Sequence, residues 1–252
     1  MNFIDVILTA IVEGITEFLP ISSTGHMILL SYILGNGEDE FTKTFEIFIQ
    51  LGAILAIVFL YAKQLFSMTF DSLLQLMLKL FIAFLPSALL GFLLYKIIKT
   101  YLFNHWVVAT SLIIGGIVLI WLDKKMYGRE MPHTDLTHVS YKMALLIGCF
   151  QCISMIPGVS RAAATIIGGM VNGLDKKSAA EFSFLLAIPT MAAASGYDLL
   201  KFEGTISTGQ WQMLAVGFVI AFLTAIVAVK LFVAFLNRGG FAPFGWYRIA
   251  VG

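Results

Sequence analysis

The sequence predicts an all-α protein that crosses a membrane many times, and three observations predict it. Of its 252 residues, 59% are hydrophobic and 12% charged, about half the charged fraction of an ordinary soluble domain. Mean hydropathy is +0.91. Five apolar stretches are long enough for a helix to cross about 30 Å of hydrocarbon, which takes roughly 20 residues, and two more are interrupted at their centres by proline and polar residues. The 22 Gly suit such a protein, because small residues let helices in lipid approach closely. A net charge of +1, 16 basic against 15 acidic side chains, leaves no field for gripping nucleic acid. Composition likewise sets aside a soluble globular enzyme, a disordered chain and a coiled coil.

The first apolar stretch runs from Phe3 to Leu34 and is broken by Pro20 and the cluster Ser22, Ser23, Thr24, Gly25 and His26. Its halves are too short to span. Residues 1–5 carry no basic side chain and Lys43 is the first in the chain, so no cleavable signal is expected and this stretch is part of the working protein. Full spans are expected at 45–62, 73–98, 106–122, 179–200 and 211–236, with kinks at Pro86 and Pro189 in the second and fourth. The stretch 141–171 repeats the construction of the first, with its break at Pro157, Gly158, Ser160 and Arg161. Non-helical backbone at membrane depth is tolerated only where protein buries it or a wet cavity receives it. Both stretches are therefore read as re-entrant hairpins that share one site. Cys149 and Cys152 form a C-x-x-C in an apolar run with no βαβ context, and are read as two small hydrophobes one turn apart.

The two breaks reveal a duplication. A shift of 137 residues lays Pro20 on Pro157 and Ser23 on Ser160, and a shift of 135 lays Glu46 on Glu181. The chain is thus expected to be a single membrane domain, 1–252, with one repeat half at about 1–122, a polar connection at 123–140 holding Lys124, Lys125, Arg129, His133, Asp135 and His138, and a second half at about 141–252. Lys63, Lys124, Lys125, Arg129, Lys142, Lys176, Lys177 and Arg238 fall on one face, and Lys43, Lys96, Lys99 and Lys201 on the other. The positive-inside rule places the first group in the cytoplasm, so the hairpins enter from opposite faces, as in an inverted-topology repeat.

The chemistry gathers at the breaks. Glu13 and Glu17, four apart, lie on one helix face. Two carboxylates in lipid call for a cation, whether a proton, a metal ion or an arginine; the alternative is a helix end near headgroups with both acids in water. Ser22, Ser23 and Thr24 stand where a half-helix begins, so they suit N-caps, while the free N–H groups there suit a phosphate or carboxylate. Arg161, in an apolar segment, must be paired or solvated, and its fork matches phosphate oxygens; an ion pair with Glu13 or Glu17 is the alternative. Ser160 and Thr165 add hydroxyls on the same hairpin. An acid pair, hydroxyls, a histidine and an arginine meeting in lipid point to a phosphorylated membrane substrate, with a divalent cation between acid and phosphate.

At these residues the chain resembles the undecaprenyl-diphosphate phosphatase family, the bacitracin-resistance type of integral membrane phosphatase. The resemblance spans the whole chain and rests on VEGITEFLPISSTGHM (12–27), KTFEIFIQLGAILA (43–56), IPGVSRAAATI (156–166), AAEFSFLLAIP (179–189) and FAPFGWYRIA (241–250). It implies removal of the terminal phosphate of a C55 polyprenyl diphosphate in the bacterial plasma membrane, recycling the lipid carrier of cell-wall synthesis, with Mg2+ or Ca2+ as cofactor. It also places the acidic motif on Glu13 and Glu17, the serine motif on Ser22, Ser23, Thr24 and His26, and the arginine motif on Ser160, Arg161 and Thr165. Ala162 and Ala163 stand where the family commonly has Ser and often Gly, so one hydroxyl is missing here.

The expected roles follow. Ser23 is the favoured nucleophile, activated by Glu17, with a metal-bound water as the alternative. His26 would move a proton or line the cavity. Arg161 would stabilise the transferred phosphoryl group, Ser22, Thr24, Ser160 and Thr165 would bind substrate, and Glu13 with Glu17 would hold the cation. Glu181 reads as structural, and Glu46 and Gln50 are open between support and structure. The runner-up is a transporter or flippase of polyprenyl phosphate, since broken helices in inverted repeats are also a transporter signature. Gly115, Gly116, Ala192 to Ala194 and Gly196 permit close helix contact within the chain or in a homodimer.

Overall fold

The computed structural model describes residues 1–35, 39–102, 104–126, 134–202, 204–236 and 239–252. Arg129, His133 and Arg238, which entered the charge count and the polar connection, lie outside the described residues, as does the Lys99 side chain. The described residues form ten α-helices and no strand: α1 Phe3–Thr16, α2 Ser23–Leu34, α3 Glu40–Ser67, α4 Phe70–Ile97, α5 His105–Met126, α6 Tyr141–Ile153, α7 Arg161–Val171, α8 Lys176–Leu200, α9 Thr208–Leu236 and α10 Ala242–Val251. Five of them, α3, α4, α5, α8 and α9, are long and apolar enough to cross a membrane, and they match the five expected spans to within a few residues at each end. The chain is a multi-pass membrane protein.

Each long helix runs a few residues beyond its apolar stretch because a polar cap ends it. Asp39 caps α3 by accepting from the Thr42 N–H, Thr69 caps α4 through Ser72, and Asp175 caps α8 through Lys177 and Ser178. Such side chains take up N–H groups that a helix end leaves unbonded. The polar connection is shorter than expected, since α5 carries Lys124 and Lys125 in its last turn. Both α4 and α8 continue through their prolines. The residues just after them, Ser87 and Thr190, are joined by buried Gln151 of α6, whose amide donates to Ser87 Oγ at 2.6 Å and to Thr190 Oγ1 at 3.2 Å.

Helices α1 to α5 and α6 to α10 follow the same order, two short helices before two long ones. Their packing is reciprocal: α1 lies on α9 as α6 lies on α4, α3 on α9 as α8 on α4, α3 on α8, and α5 on α10. Backbones touch where glycine allows it. A Cβ on Gly148 would overlap the Ala83 carbonyl, and one on Gly116 would stand 2.6 Å from the Gly245 carbonyl, so Gly115 and Gly116 serve contacts within the chain. By contrast Ala192, Ala193 and Ala194 are exposed and a Cβ on Gly196 would meet nothing within 4 Å. Large apolar side chains such as Phe66, Phe92, Ile117 and Leu231 face outward, as lipid requires. Cys149 and Cys152 are free thiols on α6.

Each broken pair begins and ends at one end of the bundle. The Met1 ammonium is 4.0 Å from Asp39, which places the start of α1 beside the start of α3. The Thr134 N–H donates to Asp175 at 3.1 Å, which does the same for α6 and α8. Asp123, near the end of α5, joins that second end: it pairs with Lys176 at 3.1 Å and accepts from the Ala242 N–H at the start of α10. At the far ends of α4 and α8, Tyr95 donates to Asp198, and Lys201 lies 4.4 and 4.3 Å from the ring centres of Tyr95 and Tyr197.

Candidate active site

The breaks make half-helices that begin inside the bundle, with the residues before them, Ser22 and Ser160, buried. Ser22 caps α2 and Ser160 caps α7, each hydroxyl accepting from the N–H three residues on, Gly25 at 3.3 Å and Ala163 at 3.2 Å. Both serines hold positive φ, 72° and 73°, and they are the two non-glycine residues that do so among the described residues. That conformation costs a non-glycine residue about 1–3 kcal/mol and persists only where surroundings enforce it. The structural match is therefore Ser22 with Ser160, one residue away from the expected match of Ser23 with Ser160, because the second break holds one more residue after its proline. In consequence Ser23 and Arg161 occupy the same place, the first residue of each half-helix.

Glu17, which closes α1, joins these two residues. Its Oε2 accepts from Ser23 Oγ at 2.5 Å and its Oε1 from Arg161 Nη2 at 2.9 Å. The ion pair foreseen as an alternative for Arg161 is thus present, with Glu17 as its partner. Arg161 also donates from Nη1 to the Ser183 carbonyl at 3.0 Å, meets Met191 Sδ at 3.3 Å, and lies 5.5 Å from the Phe18 ring centre. Its Nε is buried with no partner, and so are both carboxylate oxygens of Glu13, one turn before Glu17 on α1 and fully buried. Polar atoms left without partners inside a protein are costly. These three keep their bonding capacity for a group bound nearby.

The other candidate residues divide. The hydroxyls of Ser22 and Ser160 accept as caps, which shapes the two helix starts and leaves each hydroxyl proton available to a further acceptor. Thr165 is buried one turn into α7, where Oγ1 donates to the Arg161 carbonyl and lies 2.6 Å from Oγ of Ser183, the residue whose carbonyl Arg161 binds. Thr24 is half-buried in the first turn of α2. His26 stands on that helix with both ring nitrogens engaged: Nδ1 is 2.7 Å from the Ser22 carbonyl and Nε2 is 2.8 Å from Tyr247 Oη. A carbonyl can only accept, so Nδ1 carries the proton and the neutral ring accepts from Tyr247 at Nε2. Neither nitrogen is on Ser23. Glu46 accepts from Ser31 at 2.6 Å, Gln50 accepts from Ser195 at 3.1 Å, and Glu181 is 3.9 Å from Lys177, so all three brace neighbouring chain.

Four residues at or behind the site were missed by sequence reasoning: Ser183, Gln151, Tyr247 and Arg248. All but Gln151 lie in segments that carried the family resemblance, and a polar residue in the apolar run 141–153 was the available signal for Gln151.

A hard divalent cation takes oxygen ligands, and Mg2+ in particular binds through one or two carboxylates together with phosphate oxygens and water. Glu13 offers two unclaimed oxygens beside Glu17. Among the described residues no group of three His, Cys, Asp or Glu side chains forms a cage of its own, so any cation here would be completed by phosphate and water. An apolar groove of about 490 Å³ between α1, α9 and α10 is lined by Ile15, Leu19, Leu231, Phe235 and Phe244 among others. Ile15 is two residues from both Glu13 and Glu17, about 200° around α1, so the groove lies on the opposite side of that helix from the carboxylates.

The model of the family described as bacitracin resistance protein BacA matches residues 6–252. The undecaprenyl-diphosphatase of Wolinella succinogenes is 51% identical over 252 residues, all of this chain and 96% of the relative. That of Persephonella marina is 50% identical over 252 residues, all of this chain and 97% of the relative. That of Aquifex aeolicus is 49% identical over 248 residues, 98% of this chain and 94% of the relative.

Proposed function

We propose that this chain, which belongs to the bacitracin resistance protein BacA family, hydrolyses undecaprenyl diphosphate to undecaprenyl phosphate and inorganic phosphate, recycling the carrier lipid of cell-wall synthesis. One observation carries the reading: a single carboxylate, Glu17, bonded at once to a serine hydroxyl and to an arginine, with both partners at the starts of half-helices inside an apolar bundle.

The proposed course begins with the diphosphate head between the two breaks and the polyprenyl tail in lipid. Arg161 and the first N–H groups of α2 and α7, which have no carbonyl within their helices, bind the terminal phosphate. Glu17 takes the proton of Ser23, whose Oγ attacks the terminal phosphorus while the anhydride P–O bond breaks and undecaprenyl phosphate leaves. Water then cleaves the phosphoseryl ester, releasing inorganic phosphate and returning the proton to Ser23. The chemistry demands mainly placement and charge stabilisation. A divalent cation, Mg2+ or Ca2+, held by Glu13 and Glu17 would neutralise phosphate charge there, and the bare oxygens of Glu13 support that assignment.

The breaks lie beside Ser111 and Leu112 of α5, about 10 Å from the His105 end at 1.5 Å per residue. That end carries fewer basic residues, which supports a site open to the extracytoplasmic face. A second copy of the chain would pack on the exposed Ala192 to Ala194 face to make a homodimer. Transport of a lipid phosphate would require no serine bonded to a buried acid.

The test is phosphate release from a polyprenyl diphosphate by the purified protein in detergent, with and without chelator, beside Arg161→Ala. Detergent leaves no two sides to transport between. Cation-dependent release that the variant loses is the expected result, and no release from folded protein over several lipid lengths and cations would overturn it.

A further inference from the structure

We propose that Arg248 of α10 is a positioning residue that sets the two breaks against each other, and through them the meeting of Ser23, Glu17 and Arg161. The inference rests on the reading of that meeting as the active site. Arg248 is fully buried, yet every hydrogen-bond partner it has among the described residues is a backbone carbonyl. Nε donates to Leu112 at 3.3 Å, Nη1 to Pro20 at 3.1 Å and Val159 at 2.9 Å, and Nη2 to Ser111 at 3.0 Å and Gly158 at 2.9 Å. All five N–H groups of the guanidinium are used, which its rigid fork permits and the three-donor, freely rotating ammonium of lysine does not.

The choice of carbonyls gives the arrangement its meaning. Pro20 lies two residues before the Ser22 cap, and Gly158 and Val159 lie directly before the Ser160 cap. Those caps hold the positive φ that only a surrounding restraint maintains. Ser111 and Leu112 belong to uninterrupted α5, so one side chain ties both non-helical breaks to the same rigid post. Room for it comes from Gly115, where a Cβ would overlap Arg248 Nη2. The Pro20, Gly158 and Val159 carbonyls, which lie outside any helix, would otherwise lack this donor inside an apolar bundle. The same helix sends Tyr247 to His26, so α10 braces the site without supplying a group to the acid, the hydroxyl or the arginine. Misplacement by about 1 Å of groups so aligned costs on the order of a hundredfold in rate.

The test compares Arg248→Lys and Arg248→Met with Lys79→Met in detergent. Lys79 is also buried and donates to a carbonyl, that of Thr137, but away from the breaks. The readouts are kcat and KM for a polyprenyl diphosphate and amide hydrogen exchange along the chain. For Arg248→Lys we expect kcat to fall about a hundredfold with KM changed less than about threefold, and exchange to rise at least about tenfold in 20–26 and 157–165 while α3 and α9 stay protected. Lys79→Met should leave kcat and exchange at the breaks unchanged. If Arg248→Met does not fold, Arg248→Lys carries the test. Wild-type kcat in Arg248→Lys, or exchange that rises evenly through the whole chain, would overturn the proposal. If the wild-type protein itself releases no phosphate, the proposed activity fails, and exchange at the breaks in Arg248→Lys still decides whether Arg248 holds them.

Discussion

Replacing Glu13 by Gln should make the protein less active and no less stable, a combination that few other roles for this residue allow. Both carboxylate oxygens are buried and without a hydrogen-bond partner. Gln keeps the shape of the carboxyl and carries no charge, so where no cation is bound the exchange avoids burying an unpaired charge and should cost little. In chelator the variant should therefore melt at or above the wild-type temperature. A cation at ten times its dissociation constant stabilises the protein that binds it by about 1.4 kcal/mol. At about 2–4 °C per kcal/mol for a chain of this size, Mg2+ should raise the wild-type melting point by roughly 3–6 °C, and this shift should vanish in Glu13→Gln. The assay is a detergent melt followed by the fluorescence of the four Trp, run with and without Mg2+ beside phosphate release. An unchanged cation shift with unchanged release would refute the metal assignment. Melting several degrees below wild type in chelator would refute the premise that the carboxylate is bare.

The remaining predictions address other links. Ser23→Ala should lower phosphate release about 10³-fold or more, and wild-type protein quenched during turnover of substrate labelled in its terminal phosphate should carry label on Ser23; release above a tenth of wild type would point to water as nucleophile. Tyr247→Phe removes one hydrogen bond that orients His26, and a bond of about 1.4 kcal/mol corresponds to a roughly tenfold fall in kcat, so an unaltered kcat would mean that His26 needs no such support. Gly148→Val places atoms on the Ala83 carbonyl, and overpacking of about 1–3 kcal/mol should lower the melting point by roughly 2–12 °C. Gly196→Ala, with open space around it, should leave it nearly unchanged.

Spans and breaks were legible because they are written in single residues and local runs. Hydropathy located all five long helices, and Pro20 and Pro157 marked the two places where helix gives way. Helix ends were displaced by a few residues since Asp39, Thr69 and Asp175 cap outside the apolar runs, in the polar margin that hydropathy discounts. At the site, the acids, Ser23 and Arg161 were legible through the cost of carrying them into lipid. Which of them touch was not: Glu17 lies 144 residues from Arg161, and nothing local ranks it above Glu13 as the partner. The hydroxyl residues show the same limit: residue type marks Ser22, Ser160 and Thr165 as polar groups at the breaks, but that Ser22 and Ser160 cap their helices while Thr165 meets Ser183 is a fact of folding. Arg248 lay in a segment that carried the resemblance, yet its role was hidden for another reason. Its partners are carbonyls, which every residue has, so no side chain elsewhere in the sequence announces it.

On the proposed reading of the site, the bond between Arg161 and Glu17 acts as a latch. An entering anion competes with Glu17 for the guanidinium, while the other carboxylate oxygen keeps its bond to the Ser23 hydroxyl. A diphosphate brings more negative charge to that contest than a monoester does. The lipid monophosphate is therefore the weaker competitor, and the closing of the ion pair behind it favours departure of the product. One hydrogen bond thus links the start of a turnover to its end: it screens what enters by charge and helps to clear what leaves.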